Sequence, residues 1–375
     1  MVIFERAIEP KIQELLFKKR AILIFGPRQA GKTTLAKRLI SQYGDEGEYF
    51  NCENAGVRKH FVLGEPEALK ELVQNKKIIV FDEAQTIQNI GKILKVFIDT
   101  YPDVQIIATG SSSFDLANKI NEPLTGRAFE FILYPLSLEE IRKTKNVSRA
   151  DLLEYMRLGT YPAIVGENNQ VVRENYLKNI TTNYLYKDIY VFESIRNPQL
   201  FEDLIKLLAH QTGHMVSVYE LAQSLKTSRT TIEKYLKLLE QSYVIKKIRS
   251  FSNNHRNELR KAFKVFFIDV GVRNAVIDEL EDIEHRQDKG SVFENFFFLE
   301  LLKNGSLETF PPTIYFWRTT DKLEIDFIQS QNNKIKAFEC KWTYENIPFT
   351  KFLKNYPNAT TMIVSPETLL TTKAN

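Results

Sequence analysis

The chain has 375 residues, of which 43% are hydrophobic and 26% charged, and this balance indicates a soluble globular protein of about two or three domains. Charges interrupt the apolar start MVIFERAIEPKIQELLF, which argues against a secretory signal, and no apolar run reaches the ~18 residues of a membrane span. A formal net charge of +4 excludes a global positive field, so nucleic acid would need a local basic patch. Cys52 and Cys340 lie far apart, which excludes a cysteine metal cluster and favours a reducing, cytoplasmic location.

The first motif is AILIFGPRQAGKTTLAKRLI, which predicts a strand, a glycine loop and a helix. The loop fits G-x-x-x-x-G-K-[ST], in which glycines allow backbone N–H groups to meet phosphate oxygens at a helix start. We expect Lys32 to bind the terminal phosphates and the Thr33 hydroxyl to ligate Mg²⁺. The predicted nucleotide-binding residues of this loop are Gly26, Pro27, Arg28, Gln29, Ala30, Gly31, Lys32, Thr33 and Thr34.

The second motif is KKIIVFDEAQ, a continuous apolar run that ends in two carboxylates. Such a run is typical of a parallel strand buried on both faces, and ligands lie at the carboxyl ends of these strands. Asp82 is predicted to hold Mg²⁺ through water or the Thr33 hydroxyl. Glu83 is predicted to polarise the attacking water.

Two further residues complete the predicted catalytic group. The apolar strand in VQIIATGSSS ends at Ser111, Ser112 and Ser113, where a hydroxyl is suited to sense the γ-phosphate. In LTGRAFEFILYPLSLEE, Arg127 is a candidate for stabilising transition-state charge, in its own subunit or in a neighbour's. The alternative for Arg127 is a surface salt bridge.

The elements GPRQAGKTT, FDEAQ, ATGSSS and LTGRAFEFILYPLSLEE together resemble AAA-type ATPases of bacteria and archaea that carry a C-terminal domain after the ATPase core. The resemblance extends over nearly the whole chain. It implies a P-loop ATPase between the AAA+ and STAND groups, with ATP and Mg²⁺ as cofactors and a homo-oligomer as the assembly. It also implies the roles just described for Lys32, Thr33, Asp82, Glu83 and Arg127. Ser111 is a further catalytic candidate, from its place at the end of the third strand. Adenine rather than guanine is implied because no N-K-x-D motif follows the loop.

The middle of the chain has apolar residues at helical spacing from 151 to 211. The stretch GTYPAIVGENN interrupts this pattern with Gly159, Pro162 and Gly166, and we interpret it as the linker that leaves the ATPase core.

A helix-turn-helix follows in HMVSVYELAQSLKTSRTTIEKYLKLLEQSYVIKKIRSF. Ser217 and Ser228 are predicted to cap its two helices, and the alternating YVIKKIRSF predicts a hairpin strand, so that the whole is typical of a winged helix. A basic run at 246–264 is predicted to form the wing. The DNA-binding candidates on the outward face of the second helix are Arg229, Thr230, Lys234 and Lys237. Glu233 on the same face favours the alternative, a lid or protein-contact module.

The C-terminal part begins with KGSVFENFFFLELLKNG, predicted as a helix that Ser291 caps and that ends near Gly305. Glu294 shares a face with Phe297 and Leu301, and a carboxylate on an apolar face is costly without a partner or a function. Two strands follow in TIYFWRTTDKLEIDFIQSQNNKIKAFECKW, separated by a polar turn at 331–333.

These strands carry three further polar candidates. Asp326 closes the apolar run of the first strand, and Glu339 and Lys341 share a face of the second because side chains alternate. Glu294, Asp326 and Glu339 are therefore predicted to hold Mg²⁺ or Mn²⁺, while Lys341 orients or deprotonates a water for attack on a phosphodiester. The alternative for Glu339 and Lys341 is a salt-bridged strand surface.

A helix glutamate, a strand aspartate and E-x-K on the next strand resemble the PD-(D/E)XK nuclease superfamily. The resemblance implies a restriction-endonuclease-like α/β domain, whose site is either active or retained as an inert scaffold.

The predicted fold class is α/β: a P-loop parallel-sheet ATPase domain (1–150), a helical linker (151–199), a winged helix-turn-helix (200–252) and a nuclease-like domain (253–375). The predicted function is a Mg²⁺-dependent ATPase that acts on or near DNA, its ATP hydrolysis driving or gating the nuclease-like domain. The alternative is a nucleotide-controlled switch of assembly with an inert nuclease fold. A DNA-binding regulator with only structural ATP is disfavoured by Asp82, Glu83 and Arg127.

Overall fold

The computed structural model describes residues 2–59, 61, 70, 73–111, 124–182, 185, 195, 197–251, 262–319, 321–345 and 349–371. Ser112 and Ser113, and three basic residues of the predicted wing (Arg256, Arg260 and Lys261), lie outside the described residues. The chain divides into two compact units. The N-terminal unit comprises 5–135 and 241–243, and the C-terminal unit comprises 1–4, 136–240 and 244–375.

The N-terminal unit is built on a five-stranded parallel sheet in the order β2-β3-β4-β1-β5. Its strands are β1 (Ala21–Phe25), β2 (Gly47–Asn51), β3 (Ile78–Asp82), β4 (Gln105–Gly110) and β5 (Ala128–Ile132). Every residue of β1, β3 and β4 is buried, because these central strands carry mainly apolar side chains on both faces of the sheet. This confirms the predicted buried parallel strands before the glycine loop and before the Asp82–Glu83 pair.

The helices of this unit are α1 (Glu9–Leu15), α2 (Lys32–Ser41), α3 (Ala55–Arg58) and α4 (Ile90–Thr100). Helix α2 begins directly after Gly31 and buries Leu35 and Leu39. The glycine loop at 26–31 therefore connects the end of β1 to the start of a helix, as the motif predicts.

The first part of the C-terminal unit is helical. Its elements are α5 (Leu138–Arg142), α6 (Arg149–Leu158), α7 (Pro162–Val165), α8 (Gln170–Asn179) and α9 (Pro198–His210). Tyr161 and Ile164 of the predicted linker are 2% and 0% exposed and belong to the same core cluster as Leu177 and Leu204. The interpretation of 159–166 as a linker is therefore wrong, because its apolar side chains are needed in this core.

The helix-turn-helix elements follow as α10 (Val218–Ser224) and α11 (Arg229–Gln241). The Ser217 hydroxyl accepts a hydrogen bond from the Glu220 N–H, and the Ser228 hydroxyl accepts one from the Thr231 N–H, so both predicted caps are confirmed. Strands β6 (Met215–Val216), β7 (Ile245–Ile248) and β8 (Phe263–Phe267) form an antiparallel sheet in the order β6-β8-β7, and α12 (Val270–Val276) follows.

The last part pairs a long helix, α13 (Lys289–Ser306), with a four-stranded sheet in the order β12-β11-β10-β9. The strands are β9 (Thr313–Arg318), β10 (Glu324–Gln331), β11 (Lys334–Cys340) and β12 (Thr360–Val364), with α14 (Thr350–Asn355) before β12 and α15 (Pro366–Thr371) after it. Neighbours are antiparallel except β11 and β12, which are parallel.

The start of α13 differs from the prediction. The helix begins at Lys289, with Asp288 and not Ser291 in the capping position. The Asp288 carboxylate makes no cap hydrogen bond because it binds the guanidinium groups of Arg273 and Arg286.

Candidate functional site

The glycine loop has the backbone geometry that its sequence predicts. Gly26 has φ 143°, and a Cβ there would lie 2.2 Å from the carbonyl oxygen of Leu133, so only glycine fits. Gly31 has φ 100° and immediately precedes α2. Gln29 also has a positive φ, 60°. These conformations turn the loop tightly at the positive end of the α2 dipole, where phosphate is favoured.

Lys32 lies within this loop and is 4% exposed. Its ammonium donates to the carbonyl oxygens of Gly26 at 3.0 Å and Pro27 at 2.9 Å. Burial lowers the pKa of Lys32 to about 8, although the carboxylates of Glu83 and Asp82 oppose the shift. The ammonium is therefore desolvated, and an anion bound by the loop would stabilise its charge.

Arg6 supports the loop from outside the motif. Its guanidinium is 7% exposed and donates to the carbonyl oxygens of Ala30 and Tyr134, each at 2.6 Å. Arg6, which the sequence did not indicate, thus fixes the loop to the segment that follows β5.

Two predicted residues of the loop lie at its surface. Arg28 lies 3.8 Å from Glu53, and Thr34 is exposed.

Asp82, at the end of β3, receives three hydroxyl hydrogen bonds. Thr33 Oγ1 donates at 2.8 Å and the Tyr49 hydroxyl at 2.6 Å to one carboxylate oxygen, and Thr109 Oγ1 donates at 2.5 Å to the other. The predicted neighbourhood of Thr33 and Asp82 is therefore present. A hydroxyl and a carboxylate oxygen at this separation suit the oxygen-rich shell of Mg²⁺.

Glu83 follows in a left-handed conformation, with φ 53° and ψ 46°. A non-glycine residue there costs about 1 kcal/mol, and such strain clusters at functional sites. Glu83 N–H donates to Thr109 Oγ1 at 3.0 Å, and the Gln85 amide donates to Glu83 Oε2 at 2.6 Å. The same amide donates to the Ser111 hydroxyl at 3.2 Å, while Gln85 Oε1 is buried without a hydrogen-bond partner in the described structure.

Arg127 is not part of this group in its own chain. Its carbonyl oxygen accepts from the N–H of Ala21, the first residue of β1, whereas the glycine loop follows Phe25, the last. A five-residue strand separates them, about 13 Å at ~3.3 Å per residue. The side chain is 39% exposed and pairs with Asp99 at 2.8 Å. Arg127 therefore lies at the amino ends of the parallel strands, whereas the glycine loop of the same chain lies at their carboxyl ends.

A second cluster of charges lies in the C-terminal unit around Lys264. This side chain is 2% exposed, and its ammonium lies 2.6 Å from Glu324 Oε1, 3.0 Å from Glu294 Oε1 and 3.9 Å from Asp326 Oδ1. Burial lowers the pKa of Lys264, but the carboxylates outweigh burial and raise it above its usual range. The predicted place of Lys264 in an exposed basic wing is wrong, because the side chain is buried against these carboxylates.

Glu339 and Lys341, the other two residues of the predicted metal site, pair with each other. The Lys341 ammonium lies 3.1 Å from Glu339 Oε1, and Asp326 Oδ2 accepts from the Cys340 N–H at 2.8 Å. Burial and the charge of Asp326 raise the pKa of Glu339 to about 7, and burial and Asp326 raise that of Glu294 to about 8. Glu294 and Asp326 thus converge on one ammonium. The Glu339–Lys341 pair fits the predicted salt-bridged alternative.

The outward face of α11 is exposed at all four DNA-binding candidates, Arg229, Thr230, Lys234 and Lys237. The Arg229 guanidinium lies over the Tyr219 ring, 4.7 Å from its centroid. Glu233 is exposed on the same helix. In the described part of the basic run, Lys246 and Arg249 are exposed, whereas Lys247 pairs with Glu240 at 2.8 Å.

Sequence reasoning missed several residues of both groups: Arg6, Tyr49, Gln85, Thr109, Lys264 and Glu324. Some of these carried a usable signal. Glu324 is two positions before Asp326 on one strand and therefore shares its face, and Lys264 is a lone charge within the apolar FKVFF. Tyr49 and Arg6 carried none, since their partners are distant in sequence.

Three segments of the chain match known protein families. Residues 18–142 match the AAA domain, 149–282 match a domain of unknown function (DUF8612), and 289–372 match another (DUF4143). The N-terminal part of the chain therefore matches an AAA domain, a P-loop NTPase, and the C-terminal part matches DUF4143. Nucleotide binding, usually with Mg²⁺, is what such a domain implies.

Two relatives align with most of the chain. The uncharacterised protein Rv2008c of Mycobacterium tuberculosis is 28% identical over 350 residues, which covers 92% of this chain and 75% of the relative. The uncharacterised protein MJ1544 of Methanocaldococcus jannaschii is 27% identical over 351 residues, covering 88% of this chain and 76% of the relative.

Solved structures show weaker likenesses. A STAND protein with a tetratricopeptide repeat sensor from Pyrococcus horikoshii aligns with 13% identity and a TM-score of 0.32, over 81% of this chain but only 46% of that one. The Drosophila ORC structure bound to AT-rich DNA and Cdc6 aligns with 11% identity and a TM-score of 0.27, over 73% of this chain and 91% of that one. Among the described residues, no helix has the length and apolar character to cross a bilayer.

Proposed function

We propose that the N-terminal unit binds ATP with Mg²⁺ and hydrolyses it. The observation that carries this proposal is the convergence of Thr33, Asp82 and Glu83 beside the glycine loop. In the proposed roles, Lys32 and the loop N–H groups bind the phosphates, and Thr33 and Asp82 hold Mg²⁺. Glu83 then polarises the attacking water, and Ser111, joined to Glu83 through Gln85, senses the terminal phosphate.

The proposed roles separate binding from turnover. We expect Lys32→Ala to weaken ATP binding, because the loop loses the charge that faces the phosphates. Glu83→Gln keeps the shape and should bind ATP as the wild type does, while kcat falls by about 10²-fold or more. Phosphate release and fluorescent nucleotide binding measure the two effects. Glu48→Gln, which removes a half-buried carboxylate of β2 that pairs with Lys76, is the matched control.

The proposal fails if Lys32→Ala and Glu83→Gln both turn over ATP at the wild-type rate. Full turnover in Glu83→Gln alone would remove the water-polarising role from Glu83 and leave nucleotide binding intact.

We further propose that α10, α11 and the β6-β8-β7 sheet form a winged helix that contacts DNA phosphates. Support comes from the exposed basic side chains on α11. Each phosphate contact contributes about 0.9 to the salt slope of log K, so replacing Arg229, Lys234 and Lys237 by alanine should reduce that slope by about 2 to 3. Replacing the exposed Lys178, Lys206 and Lys334 is the control. An unchanged slope would favour a protein-contact module.

The C-terminal unit has two candidate roles. The predicted one is cleavage of a phosphodiester by Mg²⁺ or Mn²⁺ held by Glu294, Asp326 and Glu339, with Lys341 at the water. The pairing of Lys264 with Glu294 and Asp326 favours the other, a nucleotide-controlled switch with an inert nuclease-like fold. Plasmid DNA incubated with Mg²⁺ or Mn²⁺, with and without ATP, separates them. Cleavage that Asp326→Ala abolishes would establish the nuclease.

A further inference from the structure

Tyr49 contacts the Asp82 carboxylate from the neighbouring strand. Its hydroxyl donates to Asp82 Oδ2 at 2.6 Å, and Thr33 Oγ1 donates to the same oxygen at 2.8 Å. The other oxygen, Oδ1, accepts from Thr109 Oγ1 at 2.5 Å. Both carboxylate oxygens of Asp82, which is 4% exposed, are therefore held by side-chain hydroxyls.

The pairing of β2 with β3 explains how Tyr49 reaches this carboxylate. Asn51 lies opposite Asp82 in the parallel register, and Tyr49 lies opposite Val80. Because side chains alternate along a strand, Tyr49 and Asp82 project from the same face of the sheet. Tyr49 lies two residues short of Asp82 along the strand direction, or roughly 6.6 Å at 3.3 Å per residue. A tyrosine is long enough to bridge this distance, whereas a serine or threonine would be too short.

The Tyr49 ring is itself held from α2. The Lys37 ammonium lies 4.9 Å from the ring centroid, a distance typical of a cation–π contact. Lys37 follows Thr33 by four residues, so both side chains lie on one face of α2. Helix α2 thus contributes the Thr33 hydroxyl to the carboxylate and a cation that packs on the tyrosine bound to the same oxygen.

Residues that orient a metal ligand without touching the metal strongly influence metal affinity, and their replacement typically costs about 10- to 100-fold in metal binding. We infer that Tyr49 is such a positioning residue for Mg²⁺ in the N-terminal unit. Its hydroxyl fixes the Asp82 carboxylate in the orientation that holds the ion, directly or through a water. This inference rests on the proposed function, in which Thr33 and Asp82 hold Mg²⁺, and it extends that site to β2.

The test measures nucleotide binding by the full-length chain and not its turnover. The Kd of a fluorescent ADP analogue is measured in EDTA and at increasing Mg²⁺, which gives the Mg²⁺ concentration at half of the gain in affinity. Tyr49→Phe removes only the hydroxyl and keeps the ring beneath Lys37. We expect its Kd in EDTA to match the wild type, because the glycine loop and Lys32 are unchanged. The half-maximal Mg²⁺ concentration should rise at least about tenfold.

Tyr43→Phe is the matched control. Tyr43 is half-buried in the same unit, but its ring packs on Phe17, with centroids 5.7 Å apart, and its hydroxyl makes no hydrogen bond to Asp82 in the described structure. We expect its Mg²⁺ dependence to match the wild type. Asp82→Asn removes the charge of the proposed ligand and should abolish the gain in affinity. In phosphate release, excess Mg²⁺ should restore the wild-type kcat to Tyr49→Phe, which it would not do for a packing defect.

Three results would overturn the inference and leave the proposed Mg²⁺ site intact. One is a wild-type Mg²⁺ requirement in Tyr49→Phe. Another is a lower requirement, which would mean that the hydroxyl competes with the ion for Asp82 Oδ2. The third is an equal loss of nucleotide affinity with and without Mg²⁺, which would assign Tyr49 to the glycine loop and not to the ion. A wild-type chain whose nucleotide affinity does not rise with Mg²⁺ would instead remove the proposed Mg²⁺ site and the inference together.

Discussion

Gln85 connects Glu83 and Ser111, two proposed catalytic residues of the N-terminal unit. It is 5% exposed, and its amide donates both to Glu83 Oε2 and to the Ser111 hydroxyl. Its buried Oε1 has no partner in the described structure. A buried amide in this position orients the Glu83 carboxylate, so Gln85 is a positioning residue and not one that reacts.

We expect Gln85→Ala to leave the KM for ATP near the wild-type value and to lower kcat by about ten- to a hundredfold, because the Glu83 carboxylate loses its orientation. Steady-state phosphate release gives both constants. Gln13→Ala, at an exposed position of α1, is the control. A wild-type kcat in Gln85→Ala would show that Glu83 needs no partner, and a large rise in KM alone would indicate a role in nucleotide binding.

Residues within a short motif were predictable, and residues joined over long distances were not. Gly26, Gly31, Lys32 and Thr33 act through one continuous loop, so their spacing alone predicts their arrangement. Thr109 and Tyr49 meet Asp82 only because β4 and β2 both pair with β3. Likewise, Lys264 meets its carboxylates through the folding of β8 against other elements, which no local pattern specifies.

At the scale of elements, α12 and α13 are joined by a charge network. Asp288 at the start of α13 binds Arg273 of α12 at 2.5 Å and Arg286 at 2.7 Å. Burial would raise the pKa of Asp288, but the hydrogen bonds and charges of these guanidinium groups outweigh it and lower the pKa to about 2. The folded state therefore favours the ionised carboxylate more than the unfolded state does.

Because the folded pKa lies below the usual value of 3.8, this stabilisation is present above about pH 4 and is lost as the pH falls from there through 2. We expect Asp288→Asn to lower the free energy of unfolding by about 1 to 2 kcal/mol at pH 7. Urea unfolding between pH 7 and pH 3 measures the difference, which should shrink below pH 4. Glu281→Gln, at an exposed position nearby, is the control. A difference independent of pH would point to packing instead.

The same network explains why one element boundary was mispredicted. Ser291 is a good cap by residue type, yet the capping position of α13 lies three residues earlier, at Asp288, whose carboxylate binds arginines and not the helix N–H groups. The predicted caps at Ser217 and Ser228 were correct because those helices begin at positions with only local hydrogen bonds. Local propensity predicts a boundary until a tertiary contact competes for it.

At the scale of the whole molecule, Arg127 bears on assembly. It lies at the opposite end of the β1–β5 pair from the glycine loop, so its side chain cannot reach the glycine loop of its own chain. If Arg127 stabilises transition-state charge, as the resemblance to AAA-type ATPases implies, it must do so in a neighbouring copy. The surface pair with Asp99 is the alternative.

A mixing experiment distinguishes these two roles. Arg127→Ala should bind ATP normally but lose about 10³-fold in kcat, since an arginine that stabilises transition-state charge contributes at least that much. Mixed with Lys32→Ala chains, which supply an intact Arg127 but no competent loop, it should recover part of the turnover. Lys32→Ala mixed with Glu83→Gln should recover none, because both defects lie in one site. Wild-type kcat in Arg127→Ala, or a loss that mixing does not restore, would contradict action across a subunit interface.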